Sequence, residues 1–159
     1  MLDEICKIAY AVDVAARFDW TWASTDLERF CAVQGWTIVE HTKLGAVLTT
    51  NLTLARPEAR WRSEDGRFER VFIFAAENSG TDDVEIARQK YDQFADISEA
   101  IVSTVGTPTQ RKAGSDGEIR WDLPRIVIRL QLVHNQSFLE FANPEYQAWL
   151  DAPDEEQHW

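Results

Sequence analysis

The sequence lacks any apolar run that could cross a membrane. No stretch approaches the roughly 18 uninterrupted apolar residues that a membrane-spanning helix needs. The residues from Met1 to Lys7 also lack the basic region of a signal peptide, and Lys7, Asp13 and Arg17 interrupt the apolar residues that follow. We therefore expect a cytoplasmic protein that does not bind membranes.

Basic residues are scarce relative to acidic ones. The chain has 16 Lys and Arg against 27 Asp and Glu, which gives a net charge of −11 at pH 7. Nucleic acids and anionic membranes attract positively charged surfaces, so neither is expected as a partner. A basic protein is the natural complement of an acidic surface, although many soluble proteins are acidic merely for solubility.

The sequence also contains little that could support catalysis or metal binding. Its two cysteines, Cys6 and Cys31, form no Cys-x-x-Cys pair, and we expect both to be buried thiols in a reducing compartment. The histidines His41, His134 and His158 are isolated from one another and from cysteine. No Walker A, H-E-x-x-H, G-x-S-x-G or G-x-G-x-x-G motif occurs. The sequence therefore predicts no cofactor, no metal site and no enzyme.

The clearest element that is present is a long amphipathic helix between Thr81 and Gly106. Asp82, Asp83 and Glu85 suit the positive end of its dipole, and Gly106 supplies its end. The apolar residues that follow helical spacing and predict one buried face are Val84, Ala87, Tyr91, Phe94, Ile97, Ile101, Val102 and Val105.

Two further helices are predicted before the strands begin. Leu2 to Arg17 has apolar residues at helical spacing. A second helix is expected to begin with the capping-box spacing Thr25-x-x-Glu28 and to end at Gly35.

Alternating apolar and polar residues predict antiparallel strands on both sides of the long helix. A hairpin is expected over 36–54, and Asp65-Gly66 indicates a second hairpin turn. Arg67 to Ala76 is apolar on both faces in its middle, which is typical of a central strand. Three more strands are expected over 119–123, 126–132 and 137–141, followed by a short helix from Pro144 to Leu150 with Asn143 as its cap.

This order predicts an α+β fold. We expect an antiparallel sheet of about six strands with the long helix, at about 82–105, packed across it, two N-terminal helices and a short C-terminal helix. By length, residues 1–159 form one domain, with a polar tail over about 151–159.

Charge is distributed unevenly along the chain, and this distribution supplies the first candidate binding residues. Acidic residues are concentrated in the long helix and in the C-terminal tail, whereas the strands supply most of the arginines. If the helices share one side of the sheet, they form an acidic surface that can steer a basic partner. The alternative is that these are only solvated helix faces. The acidic candidates for partner binding are Asp82, Asp83, Glu85, Asp154, Glu155 and Glu156.

The seven tryptophans are unusual for a chain of this length. Trp36 and Trp121 occupy strand positions that predict core packing. Trp61, flanked by Arg60 and Arg62, is the candidate exposed anchor, since Trp and Arg dominate protein interfaces.

A resemblance is carried by the aromatic segment Phe18-Asp19-Trp20-Thr21-Trp22, by Ser24 to Leu27, and by Gln34-Gly35-Trp36. These residues resemble an uncharacterised family of small acidic actinobacterial proteins. Proteins of this appearance look like the cytoplasmic companions of polymorphic or type VII secreted toxins, which implies an immunity or chaperone role. No catalytic residue is carried over. The order of elements also looks like that of the acidic class I chaperones of type III secretion.

Three functions are therefore compared. The first is a non-enzymatic immunity or antitoxin-like protein that masks a basic toxin. The second is a secretion chaperone, which should have an exposed apolar groove and form a homodimer. The third is an enzyme acting on a small molecule, which requires a concave pocket with convergent polar groups. The sequence is compatible with a monomer and with a homodimer.

Overall fold

The computed structural model describes residues 2–52, 58–64, 67–74, 84–113, 116–134 and 136–153. Within them the fold is α+β, as predicted, with helices and antiparallel strands in separate parts of the sequence. In chain order the elements are α1 (Leu2–Arg17), α2 (Asp26–Gln34), β1 (Thr37–Thr42), β2 (Gly45–Thr49), β3 (Glu58–Glu64), β4 (Arg67–Phe74), α3 (Val84–Val105), β5 (Gln110–Lys112), β6 (Glu118–Asp122), β7 (Val127–Val133), β8 (Gln136–Ala142) and α4 (Pro144–Asp151).

The strands form one antiparallel sheet in the order β1-β2-β3-β4-β8-β7-β6-β5. It consists of two four-stranded meanders, each preceded by a helical segment, that meet where β4 pairs with β8. The prediction that β4 is central is therefore confirmed. Eight strands lie within the described residues rather than about six. Part of the difference is β5, whose three exposed residues lie in a segment for which no strand was predicted.

One face of the sheet, the core face, is covered by helices. Its cross-strand neighbours Ala46, Trp61, Val71, Phe141 and Ile128 run across five strands in register, and all are buried. Helices α1 and α3 pack against each other, and α3 also contacts β8. The face opposite the core face is called the open face below.

The apolar stripe of α3 is buried only in its C-terminal half. Ile97 and Ile101 are fully buried, and Phe94 packs against the core from a half-buried position. Val84 is 84% exposed and Tyr91 is 41% exposed. The prediction of one buried face is therefore wrong for the first turns of the helix, because only the later turns contribute side chains to the core.

Helix α2 begins differently from the prediction. Thr25 has a helical backbone conformation and its side chain makes no capping hydrogen bond, so the predicted capping box does not form. Instead the buried Asp26 carboxylate accepts hydrogen bonds from the backbone N–H groups of Thr21 and Trp22, at 2.9 and 2.7 Å, and from the Thr21 hydroxyl at 2.7 Å. The helix ends as predicted at Gly35, whose N–H bonds to the Cys31 carbonyl.

These hydrogen bonds shape an aromatic cluster. Trp22 has a φ of 60°, and this turn lets the rings of Trp20 and Trp22 stack with centroids 4.4 Å apart. Trp20 also lies near Phe68, which stacks on Trp61 at 3.5 Å. Two aromatic residues spaced two apart thus enter the same core through a turn rather than through an extended segment.

Candidate binding groove on the open sheet face

Part of the open face of the sheet forms a groove of about 460 Å³, called the sheet-face groove here. Strand pairing places Val47, Arg60 and Phe72 side by side on β2, β3 and β4. Strands β7 and β8 contribute further side chains to the lining of the groove. The groove side chains on the open face are Val47, Arg60, Arg62, Phe72, Gln131, Val133 and Phe138, with Thr42 and Leu44 at the β1–β2 end.

The groove lining combines apolar surface with guanidinium groups. Arg60 and Arg62 lie two residues apart on β3, so their side chains point to the same face. Their side chains are 57% and 52% exposed. Arg60 pairs with Glu58 at 3.1 Å, and Arg62 lies 3.9 Å from Glu69. The two cations are thus held at the surface, close to apolar side chains.

An ionic network lies beside the groove on the same face. The Glu140 carboxylate, 2% exposed, accepts hydrogen bonds from Arg129 at 2.7 Å and from Arg70 at 3.3 Å. Arg129 also pairs with Glu118, which accepts a hydrogen bond from the Gln131 side chain at 3.2 Å. The negative charges of the two carboxylates and the positive charges of the two guanidiniums cancel, and a buried charge needs such a partner. The network therefore orients Gln131 without adding net charge to the groove.

Helix α4 covers the adjoining part of the open face. Asn143 caps it as predicted, accepting a hydrogen bond from the Glu145 N–H at 3.0 Å. At its other end Asp151 pairs with Arg120 at 2.8 Å, and this hydrogen bond lowers the pKa of Asp151. The Arg70 guanidinium lies 4.3 Å from the Phe72 ring and 5.5 Å from the Tyr146 ring. Arg70 therefore marks the boundary between the region under α4 and the groove.

Residues 7–143 match DUF6301, a family of unknown function. The chain belongs to this family. The match spans all the described residues that line the groove and stops before α4. No curated protein and no solved structure matches the chain. The expectation of an uncharacterised family is thus confirmed, whereas family membership carries no information on activity.

Outside the groove, the DUF6301 chain shows little reactive chemistry among its described residues. Burial raises the pKa of the Cys31 thiol to about 11, whereas Cys6 is exposed, so the prediction of two buried thiols is wrong for Cys6. His41 and His134 are exposed, and His158 lies outside the described residues. No group of three His, Cys, Asp or Glu side chains in the described part could hold a metal ion. None of its described helices is long and apolar enough to span a membrane.

The exposed-anchor prediction for Trp61 is wrong. Trp61 is 3% exposed and stacks on Phe68 in the core, although it also borders the groove. The flanking residues Arg60 and Arg62 suggested a surface position. Successive side chains of a strand point to opposite faces, so flanking arginines on the open face direct the tryptophan into the core.

Of the six acidic candidates, Glu85 lies among the described residues, and it does not line the groove. Glu85 is exposed in the first turn of α3 and pairs with Arg88 at 3.2 Å. Asp82 and Asp83 lie outside the described residues. The tail residues Asp154, Glu155 and Glu156 do so as well. As partner-binding residues, all six acidic candidates remain predictions.

Most of the groove in this DUF6301 protein could not be predicted from the sequence. Its lining residues come from strands as far apart in sequence as β2 and β8, so no local motif marks it. One signal was present: Val71, Phe72 and Ile73 are apolar on both faces of β4. Val71 and Ile73 face the core, so the apolar side chain of Phe72 lies on the open face, where it lines the groove.

Proposed function

We propose that this DUF6301 protein is a non-enzymatic protein-binding module that holds a segment of a partner protein in the sheet-face groove. The observation that carries the proposal is the apolar lining of Val47, Phe72, Val133 and Phe138 on a sheet face that α4 covers only in part. Apolar surface arranged in a concavity of this size is typical of binding sites.

The chemistry of the lining supports recognition rather than catalysis. Among the described residues that line the groove there is no Asp, Glu, His, Cys or Lys. The available polar side chains are the guanidiniums of Arg60 and Arg62, the amide of Gln131 and the hydroxyl of Thr42. Guanidinium groups stay protonated in proteins, so they bind and orient anions but do not exchange protons.

A finer form of the proposal is an immunity or antitoxin-like protein that neutralises a basic toxin in the cytoplasm. The net charge of −11 supports it, as do the exposed carboxylates of Glu85, Asp92, Asp96 and Glu99 on α3. An acidic surface raises the association rate of a basic partner by electrostatic steering. Trp61 is buried in the core at the border of the groove, so the apolar contact of the interface is supplied by the groove side chains on the open face.

The second candidate is a chaperone that holds a nonfolded effector segment. It is favoured by one specific feature, the exposed apolar groove, which such a chaperone requires. The two functions differ in the state of the partner. An immunity protein binds one folded toxin with submicromolar affinity, whereas a chaperone binds the nonfolded segment and forms a homodimer.

The test is co-purification with the product of the neighbouring gene, followed by titration of that partner in folded and denatured form. Val47→Glu places a charge in the groove, and we expect it to weaken binding at least about tenfold. Val39→Glu is the matched control, because Val39 lies on the adjacent strand β1, is 61% exposed and does not line the groove. Equal affinities of the two variants would overturn the groove assignment.

Charge steering is tested separately. Replacing Asp82, Asp83 and Glu85 by their amides should lower the association rate for a basic toxin, with the largest effect at low salt. An unchanged association rate would remove the immunity form of the proposal and leave the groove function intact.

A further inference from the structure

We infer that the sheet-face groove recognises an acidic segment of the partner, in which a carboxylate side chain lies next to an apolar side chain on the same face of an extended strand. This inference rests on the proposed binding function and specifies the chemistry of the partner. It is unexpected for a protein of net charge −11, because the charged side chains among the described residues that line the groove are both arginines.

The arrangement around Arg60 supplies the geometry. Its cross-strand neighbours on the open face are Val47 on one side and Phe72 on the other. The guanidinium therefore emerges between two apolar side chains. Arg62 lies two positions along the same strand, about 7 Å away. Side chains at alternate positions of an extended peptide have the same spacing, so a carboxylate and an apolar side chain can contact this surface together.

The intramolecular partners of the two arginines can be exchanged. Glu58, which pairs with Arg60, is 34% exposed, and the contact of Arg62 with Glu69 is long. The Arg60–Glu58 pair is exposed, and such pairs contribute little to stability. The Glu69 side chain is 7% exposed, and its contact with Arg62 is weak because it is long, at 3.9 Å. A partner carboxylate that reaches the groove together with apolar contacts is desolvated further, and it forms a stronger, bidentate bond with a guanidinium.

The carboxylates of the neighbouring ionic network, Glu118 and Glu140, pair within that network. Glu140 and Glu118 bind Arg129, and Glu140 also binds Arg70. Because these four side chains pair with one another, Arg60 and Arg62 are the charged side chains that the described residues place in the groove lining. This complementarity favours an acidic protein segment as occupant.

The experiment measures fluorescence anisotropy with a short fluorescein-labelled peptide in which Glu and Phe occupy alternate positions separated by Thr. A second peptide has Lys in place of Glu. The full chain should bind the Glu peptide at least about tenfold more tightly than the Lys peptide, and the preference should shrink as salt is raised. The double variant Arg60→Glu, Arg62→Glu should reverse the preference.

The matched control is Arg111→Glu, Lys112→Glu, which changes the net charge equally at two exposed residues of β5, on the far edge of the sheet. It should keep the wild-type preference. Loss of the preference in this control would show that net charge alone selects the peptide, and it would overturn the inference.

Three further results overturn the inference in distinguishable ways. If Val47→Glu weakens binding of the natural partner while Arg60→Glu, Arg62→Glu does not, the binding function stands and acidic recognition is wrong. If neither variant affects the partner, the groove function also fails. If neither peptide binds but decanoate does, in competition with a fluorescent fatty acid, the occupant is a small amphipathic anion.

Discussion

The backbone N–H of Trp22 donates a hydrogen bond to the carboxylate of Asp26, four residues later, at 2.7 Å. This bond holds Trp22 in a left-handed conformation at the entrance to α2. The same carboxylate also binds Arg29 at 2.8 Å and is completely buried. The aromatic segment that precedes α2 thus depends on one acidic side chain for its turn.

Replacement of Asp26 by Ala should lower the free energy of unfolding by about 2–4 kcal/mol, because it leaves buried donors without an acceptor. Urea denaturation followed by tryptophan fluorescence measures the effect. Asp13→Ala is the matched control, since it removes only the exposed ion pair with Arg17 and should change stability by less than about 1 kcal/mol. Similar losses in the two variants would contradict this role of Asp26.

Of Gly35, Gly45 and Gly106, Gly45 should be the least tolerant of substitution. Its φ is 154°, and a Cβ there would lie 1.8 Å from the backbone oxygen of Trp61. We expect Gly45→Ala to cost more than about 3 kcal/mol, because the β2–β3 pairing must open to admit the methyl group. Gly35→Ala should cost about 1 kcal/mol, since Gly35 has positive φ but open space around it. Thermal unfolding of both variants tests this order.

The two thiols should differ in reactivity. Cys6 is exposed, whereas burial raises the pKa of Cys31 to about 11 and hides it from reagents. A disulfide reagent should therefore label one thiol quickly at pH 8 in the native protein and the second only after unfolding. Cys6→Ser should abolish the fast phase, whereas Cys31→Ser should leave it unchanged. A fast phase that survives in Cys6→Ser would contradict the assignment.

Asp151 should make stability depend on pH in the acidic range. The hydrogen bond from Arg120 lowers its pKa in the folded state. A lowered folded-state pKa contributes stability above the ordinary value of about 4, and this contribution is lost as pH falls through the lowered pKa. Because the side chain is 46% exposed, the difference between wild type and Asp151→Asn at pH 7 should stay below about 1 kcal/mol.

Urea unfolding at pH 7 and at acidic pH measures this difference, which should close as the pH is lowered. Asp92→Asn, an exposed substitution on α3, is the control and should show no such convergence. If the wild-type protein stays more stable than Asp151→Asn by the same free energy of unfolding at acidic pH, the Arg120 contact does not depend on the charge of the carboxylate.

Several elements were predictable because their signals are local. These signals are the helical period of α3, the alternation of apolar and polar residues in β6 and β7, the glycine that ends α2 (Gly35) and the cap that begins α4 (Asn143). Each depends only on residues that are neighbours in sequence. Strand β5 was missed because three exposed residues carry no periodicity. The first turns of α3 showed an apolar stripe as clear as the later turns, yet they extend past the surface that buries the rest.

The sequence by itself determined the type of most elements and the alternation that places Arg60 and Arg62 on one side of β3 and Trp61 on the other. Only the tertiary structure decided which side is the core. Helices α1, α2 and α3 cover the face that contains Trp61, and α4 covers only part of the opposite face. The alternation of residues along a strand shows which side chains share a face of the sheet. It does not show which face is buried, because burial depends on elements that are distant in sequence. The groove exists for that reason: its residues from β2, β3, β4, β7 and β8 meet only when β8 pairs with β4.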